Sequence, residues 1–209
     1  YFMPYIGYFQ AIQAVDKYIL YDNLNFIKDA WVNRNRLLLR DGTITTFSVP
    51  IVAKSSYTKI VDIRIDNSQK WEQKVLKTIF LNYKKSPHFD EVFPLLEIIL
   101  NTNYDFLSEL NVGSIKSIAD FLAIDTVIEY DNSKYICLED NLLLVDNHDY
   151  TPFSYLEKTK PIKKVARVIE ICKEEGSFFF VNAIGGQRLY SREEFANYGI
   201  DLKFVQTDV

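Results

Sequence analysis

Apolar positions along the chain change period twice. Gly7 to Val15 places Tyr8, Ile12 and Val15 at helical spacing, with Gln10 and Gln13 outward, and predicts a helix. Tyr18-Ile19-Leu20-Tyr21 is a short apolar run that predicts a buried strand leading directly into Asp22. Arg36 to Arg40 and Thr43 to Val52 predict two strands around Asp41-Gly42, and Asp-Gly between apolar runs is the strongest short-range hairpin signal. Pro50, late in the second run, marks an edge or a bulge. Lys59 to Ile65 sets Ile60, Asp62 and Arg64 against Val61, Ile63 and Ile65, and reads as a half-exposed strand.

The period then becomes helical. Trp71 to Tyr83 carries Trp71, Val75, Leu76, Ile79 and Tyr83 on one face, with Ser68 as N-cap, and Pro87 stops it. Phe89 to Leu100, Tyr104 to Leu110 and Ser114 to Leu122 continue the helical signal. Thr126 to Tyr130 returns to a strand. Tyr135 to Leu138 and Leu142 to Val145 flank Asp140-Asn141 and read as a second hairpin, followed by a mobile polar loop from Asp146 to Thr159. Val165 to Cys172 predicts a helix stopped by Gly176, and Phe178 to Val181 predicts an apolar strand. Asn182 to Gln187 reads as a loop, Ser191 with Glu194 as a capping box, and Leu202 to Val205 as the last strand. The order predicts an α/β fold in one domain over residues 1–209. Its N- and C-terminal strands share a mixed sheet, covered by a helical middle segment at about 71–124.

Composition narrows the function classes. Apolar residues at 48% and charged residues at 25% suit a soluble globular protein, and 14 Tyr with 15 Phe supply rings that stack on ligands or fill a β-rich core. A net charge of -4 argues against general nucleic-acid binding, which needs a basic face. No apolar run is long enough to cross a bilayer, and Pro4 and Gly7 interrupt the short apolar start, so no signal peptide is read there. Cys137 and Cys172 form no CxxC pair, which fits a cytoplasmic protein with reduced thiols. The start at Tyr1-Phe2-Met3-Pro4-Tyr5 reads as mid-protein, a processed or cropped end.

Two polar islands interrupt the apolar pattern. Tyr21 to Arg36 is too polar for a core strand and too aromatic for a linker. Its segment Trp31-Val32-Asn33-Arg34-Asn35-Arg36 sets guanidinium forks beside amides that donate and accept, a set able to grip an anion, a sugar or a flexible backbone. The structural alternative has Asn33 and Asn35 capping turns and Arg34 paired with Asp22 or Asp16. The second island is Asn182 with Gly185, Gly186, Gln187 and Tyr190, where a glycine pair after a strand lets backbone N–H groups approach an anion as in a phosphate nest. A plain turn is the alternative. Both islands follow apolar strands, so Asp22, Lys28, Trp31, Asn33, Arg34 and Asn35 are expected to line one pocket with the second island.

Other chemistry finds little support. The two His residues lie far apart, and HExxH, CxxC, GxSxG, P-loop and GxGxxG patterns are missing, so no metal site and no cofactor is assigned. Cys172 on an apolar helix face and Cys137 in an apolar run read as inert thiols. His88 reads as an exposed helix-start residue, with general acid/base work as its alternative, and His148 as solvated.

Several motifs in order resemble the WbqC-like protein family. They are Phe2-Met3-Pro4-Tyr5-Ile6-Gly7-Tyr8-Phe9, Asp16, Tyr21-Asp22, Lys28, Trp31 to Arg36, Tyr83-Lys84-Lys85-Ser86-Pro87, and Asn182 to Tyr190 with Phe195 and Gly199-Ile200. The family's opening usually follows a strand ending in Gln-Pro, so a core strand and a site Gln are expected to be missing ahead of Tyr1. Asn25 stands where relatives usually carry Gln, and Val75 where many carry a His after Trp71. The resemblance implies a place in bacterial O-antigen or other surface-polysaccharide biosynthesis. Its first form is a transferase that tailors an amino-sugar nucleotide or related sugar by acyl or aminoacyl transfer. Asp22 would then be the base with Lys28 beside it as a catalytic group. Tyr5, Tyr8, Trp31, Asn33, Arg34, Asn35, Asn182, Gly185, Gly186, Gln187 and Tyr190 would hold the small-molecule sugar or acyl substrate, with the guanidinium of Arg34 or Arg36 on phosphate and Asn33 and Asn35 orienting hydroxyls. Its second form, favoured by Val75, is a non-catalytic sugar-binding or assembly factor of the same pathway.

Overall fold

Asp41 and Gly42 make the turn that their order predicts. In the computed structural model, which describes residues 1–52, 57–144 and 160–207, Gly42 has φ +82° and donates its N–H to Leu39 O at 3.0 Å. The elements in chain order are α1 (Ile6–Gln13), β1 (Lys17–Ile19), β2 (Arg34–Leu38), β3 (Ile44–Ser48), α2 (Trp71–Tyr83), α3 (Phe89–Asn101), α4 (Leu107–Phe121), β4 (Val127–Glu129), α5 (Ser133–Leu144), α6 (Lys160–Glu174), β5 (Phe179–Ala183), α7 (Arg192–Ala196) and β6 (Asp201–Val205). This is a mixed α/β fold with a helical middle. Packing divides it into two compact units, one of Tyr1–Tyr5 with Ile19–Tyr130 and one of Ile6–Tyr18 with Asp131–Val209.

In the first unit β2 and β3 pair antiparallel, with Arg34 opposite Ser48, Arg36 opposite Thr46 and Leu38 opposite Ile44. Side chains alternate across a strand, so the hairpin has two different faces. Leu37 and Phe47 face inward onto a core of Phe2, Val49, Ile63, Trp71, Val75, Ile79, Ile99, Leu107 and Leu110, supplied largely by α2, α3 and α4. Arg36, Leu38, Ile44, Thr46 and Ser48 are exposed. The buried ring of Phe2 meets Phe47 and Trp71 edge-on, at 5.9 and 6.0 Å between centroids.

In the second unit β5 and β6 run parallel, with Phe180 opposite Leu202, and the crossover between them carries α7. Val165, Ile169 and Cys172 of α6 pack with Phe195, Ile200 and Leu202 in a separate core. Gly176 stops α6 with φ +61°, as expected, and Ser177 N–H returns to Cys172 O at 2.8 Å.

Several expectations need correction. The N- and C-terminal strands do not share one sheet: β2–β3 and β5–β6 are separate two-stranded sheets, because each packs its apolar face on a different core. Lys59 to Ile65 is not a strand. Ile60–Asp62 form a 3-10 turn, and single bridges (Asn25 to Lys59, Ile51 to Ile65, Arg64 to Phe106) take the flanking backbone groups. The two helical signals at 104–110 and 114–122 are one helix, α4, which runs through Gly113, a position where a Cβ would collide with the Tyr104 hydroxyl. The second hairpin is replaced by α5. Asp131 starts that helix by accepting from Ser133 N–H at 3.0 Å and from its hydroxyl, and these bonds hold its carboxyl below the usual range.

Helix starts also differ in detail. Lys70, in the left-handed region, precedes α2, while Ser68 donates to Asp66 one turn earlier. Ser191 stands before α7 without a side-chain cap bond, so the capping box is not formed. The loop expected at 146–159, with His148, lies outside the described residues.

Candidate functional site

The first island becomes a strand. β2 begins at Arg34, so Arg34 and Arg36 fall on one side of the hairpin and Asn33 and Asn35 on the other. The inward amides are bound to backbone. Asn33 Nδ2 donates to Val49 O at 3.0 Å, and Val49 N–H returns to Asn33 O at 2.7 Å. Asn35 Nδ2 donates to Phe2 O at 3.1 Å and to Met3 O, while its Oδ1 accepts from Arg36 N–H at 2.7 Å. These bonds anchor residues 2–3 against β2.

On the outer face the Arg34 and Arg36 guanidinium carbons lie 5.2 and 4.8 Å from the Trp31 ring centroid. Trp31 is 40% exposed. Arg34 Nη1 pairs with Asp29 Oδ1 at 3.3 Å, so its partner is Asp29 rather than Asp22 or Asp16. The pair is long, and the Asp29 side chain is 72% exposed. Arg34 Nε is buried and finds no acceptor among the described residues. Thr46 and Ser48, directly across from Arg36 and Arg34, add exposed hydroxyls to the same face. Thr46, Ser48 and Asp29 were not among the expected site residues, whereas Arg36 was expected, beside Arg34, as a group that holds phosphate. Thr46 and Ser48 needed the strand register, and Asp29 needed the turn that brings it to Arg34.

Asp22 lies in the same unit, against α4. The Ser108 hydroxyl of α4 donates to its carboxylate, and Val61 N–H approaches its carbonyl at 3.4 Å. Lys28 is exposed in the turn before Trp31, and Tyr5 is 65% exposed.

The second island falls in the other unit. Asn182 Oδ1 accepts from Ala183 N–H at 2.8 Å, and its Nδ2 covers Gly186, where an added Cβ would sit 2.7 Å away. Ile184–Arg188 form a 3-10 helix, and neither Gly185 nor Gly186 has a positive φ. The alternating backbone of an anion nest is therefore not formed. Gln187 is exposed. Tyr190 packs edge-on against Phe180 and Phe195 at 5.6 and 5.8 Å, and burial raises its hydroxyl pKa. Tyr8 meets the Phe9 and Tyr18 rings at 6.2 and 5.5 Å.

Of the two thiols read as buried and inert, Cys137 is instead exposed on α5, and Cys172 is buried. Burial pushes the Cys172 thiol up to about 11. His88 is exposed beside Glu91, at 3.2 Å. Among the described residues no cluster of His, Cys, Asp or Glu could hold a metal, and no helix is long and apolar enough to cross a membrane. Sequence reasoning gave no hint of the ionic cluster around Glu175 in the second unit. Lys17, Lys134 and the Tyr135 hydroxyl all donate to that carboxylate, the last at 2.6 Å. Burial alone would raise the Glu175 pKa, but the bonds from Lys134, Lys17 and Tyr135 outweigh it and hold the group down to about 2.

The sequence model of the WbqC-like protein family matches residues 1–209. The chain belongs to that family. A similar protein is an uncharacterized protein, Rv1507c, of Mycobacterium tuberculosis, 32% identical over 127 residues that cover 60% of this chain. The match spans about half of that relative's length, 54%. No solved structure matches the chain. Val75, where many WbqC-like relatives were expected to carry a His, is 5% exposed within the first core.

Proposed function

We propose that this WbqC-like protein binds a sugar nucleotide of bacterial surface-polysaccharide biosynthesis and acylates or aminoacylates its amino sugar. The observation that carries the reading is the exposed Trp31 ring beneath two guanidinium groups. A ring face stacks on a sugar or base, and guanidinium forks match phosphate oxygens. Thr46 and Ser48 add hydroxyls that can donate to and accept from the same ligand. In this reading Asp22 is the general base, and the Ser108 hydroxyl orients its carboxylate.

The test is incubation of purified protein with UDP-linked amino sugars and acyl or aminoacyl donors, with product mass followed by mass spectrometry. The expected outcome is an acylated sugar nucleotide. Trp31→Ala should weaken binding of the sugar nucleotide by about 1–3 kcal/mol, the range for one stacked base. A second reading, a non-catalytic binding factor, is favoured by Val75, since a packed core position offers no general base. Unimpaired binding without turnover for any donor would select it.

A further inference from the structure

Arg34 is a partly buried charge that its own unit satisfies incompletely. Its side chain is only 29% exposed, its Nε is buried without an acceptor, and its ion pair with Asp29 is one long contact. A buried donor left without a partner costs stability, so an acceptor that reaches it gains more than a surface contact would. Arg36 lies on the same ring and has no ion pair among the described residues. Two cations thus lie on one ring, and a single carboxylate pairs with only one of them. Asp29 itself has φ +64° in an exposed turn, a conformation that Asp and Asn tolerate better than most residues.

We infer that Asp29 is an internal counter-ion that a phosphate or diphosphate group displaces from Arg34, so that Asp29 sets which anions this face accepts. The inference rests on the sugar-nucleotide reading and adds the selection rule. A singly charged carboxylate only replaces the charge already present. A group with two or more negative charges neutralises both guanidiniums and can bring an oxygen to Nε, forming the bidentate contact that Asp29 does not make. Asp29 then swings into solvent, which its exposure permits.

Isothermal titration of the full chain with inorganic pyrophosphate, and separately with acetate, tests this without any donor or turnover. Saturable binding of pyrophosphate and none of acetate is expected for the wild type. Asp29→Asn removes the competing charge and keeps a residue that suits positive φ, so pyrophosphate should bind roughly two- to five-fold tighter, the scale of a surface ion pair. Acetate binding should then become detectable. Arg34→Lys keeps the charge but loses Nε and the fork, and should weaken pyrophosphate by about ten-fold or more with an unchanged melting temperature. Equal affinity of the wild type and Asp29→Asn would overturn the inference, as would pyrophosphate binding that ignores Arg34→Lys. If Asp29→Asn tightens pyrophosphate while no sugar nucleotide is ever acylated, the counter-ion role stands and the transferase reading falls.

Discussion

The Arg34 and Glu175 sites are opposite solutions to placing a charge against a protein surface. Glu175 has a side chain only 12% exposed and accepts from two ammonium groups and a phenol, each aimed at it from its own unit. Arg34 is partly covered as well, yet it keeps one long contact to an exposed carboxylate and one buried N–H without an acceptor. A saturated charge has nothing left to offer a ligand, and it fixes the elements that saturate it. Lys17 next to α1, α5 and the end of α6 are joined in this way. An unsaturated charge does less for the fold and more for recognition.

The comparison breaks first if Glu175 turns out to be dispensable. Glu175→Gln should destabilise the protein by about 1.5–3 kcal/mol, the range for hydrogen bonds to a charged group, measured by urea unfolding at neutral pH. It should leave pyrophosphate binding untouched. The acid dependence carries the same sign. Because the folded carboxyl is held down to about 2, its stabilisation is complete above the ordinary carboxylate range and is lost as pH falls from about 4.5 through 2. Stability of Glu175→Gln measured over that window should fall less steeply than that of the wild type. Tyr135, pushed up to about 12 by burial and then by its bond to Glu175, stays neutral throughout and donates at every pH of interest.

Much of the first unit was legible in the chain, and the reasons are local. Asp41-Gly42 decided the hairpin, and the face of Trp71, Val75, Leu76 and Ile79 decided α2 to the residue. Failures came where local pattern met a tertiary partner. The alternation at 59–65 is strand-like, but the neighbouring segments take its backbone groups one bridge at a time, so the chain turns instead. At 135–145 the apolar runs fit a strand or a helix equally well, and the Asp131 start decided for α5. The site was legible to a similar depth. The polar segment at 31–36 was visible, but its division into outward Arg and inward Asn needed the register of β2. The two islands lie in separate compact units.

A smaller effect is expected at the glycine pair of the second island. Gly186→Ala places a methyl 2.7 Å from Asn182 Nδ2, so the amide must leave Ala183 N–H or the 3-10 turn must open. A loss of about 1 kcal/mol is expected, at the low end for overpacking because the obstacle is a side-chain end. Thermal unfolding would read it as a lowered midpoint. An unchanged midpoint would mean that Asn182 is not held, and would return it to the list of ligand-binding groups.

The smallest effect has the opposite sign. Gly185 lies next to Gly186 in the same turn, yet a Cβ there meets nothing within 4 Å, and its φ is not positive. Alanine therefore fits without strain, and it removes conformational freedom from the unfolded chain. Gly185→Ala should raise stability by roughly 0.4–1 kcal/mol. The same variant asks whether the glycine pair cradles an anion. A phosphate approaching Gly185 backbone would meet the new methyl, and pyrophosphate affinity would drop. If the Trp31 face holds the anion alone, Gly185→Ala is more stable and binds as the wild type does. A stabilised protein with weakened binding would instead give the second island a share of the ligand, and would draw the contrast between the islands less sharply than Arg34 and Glu175 draw it.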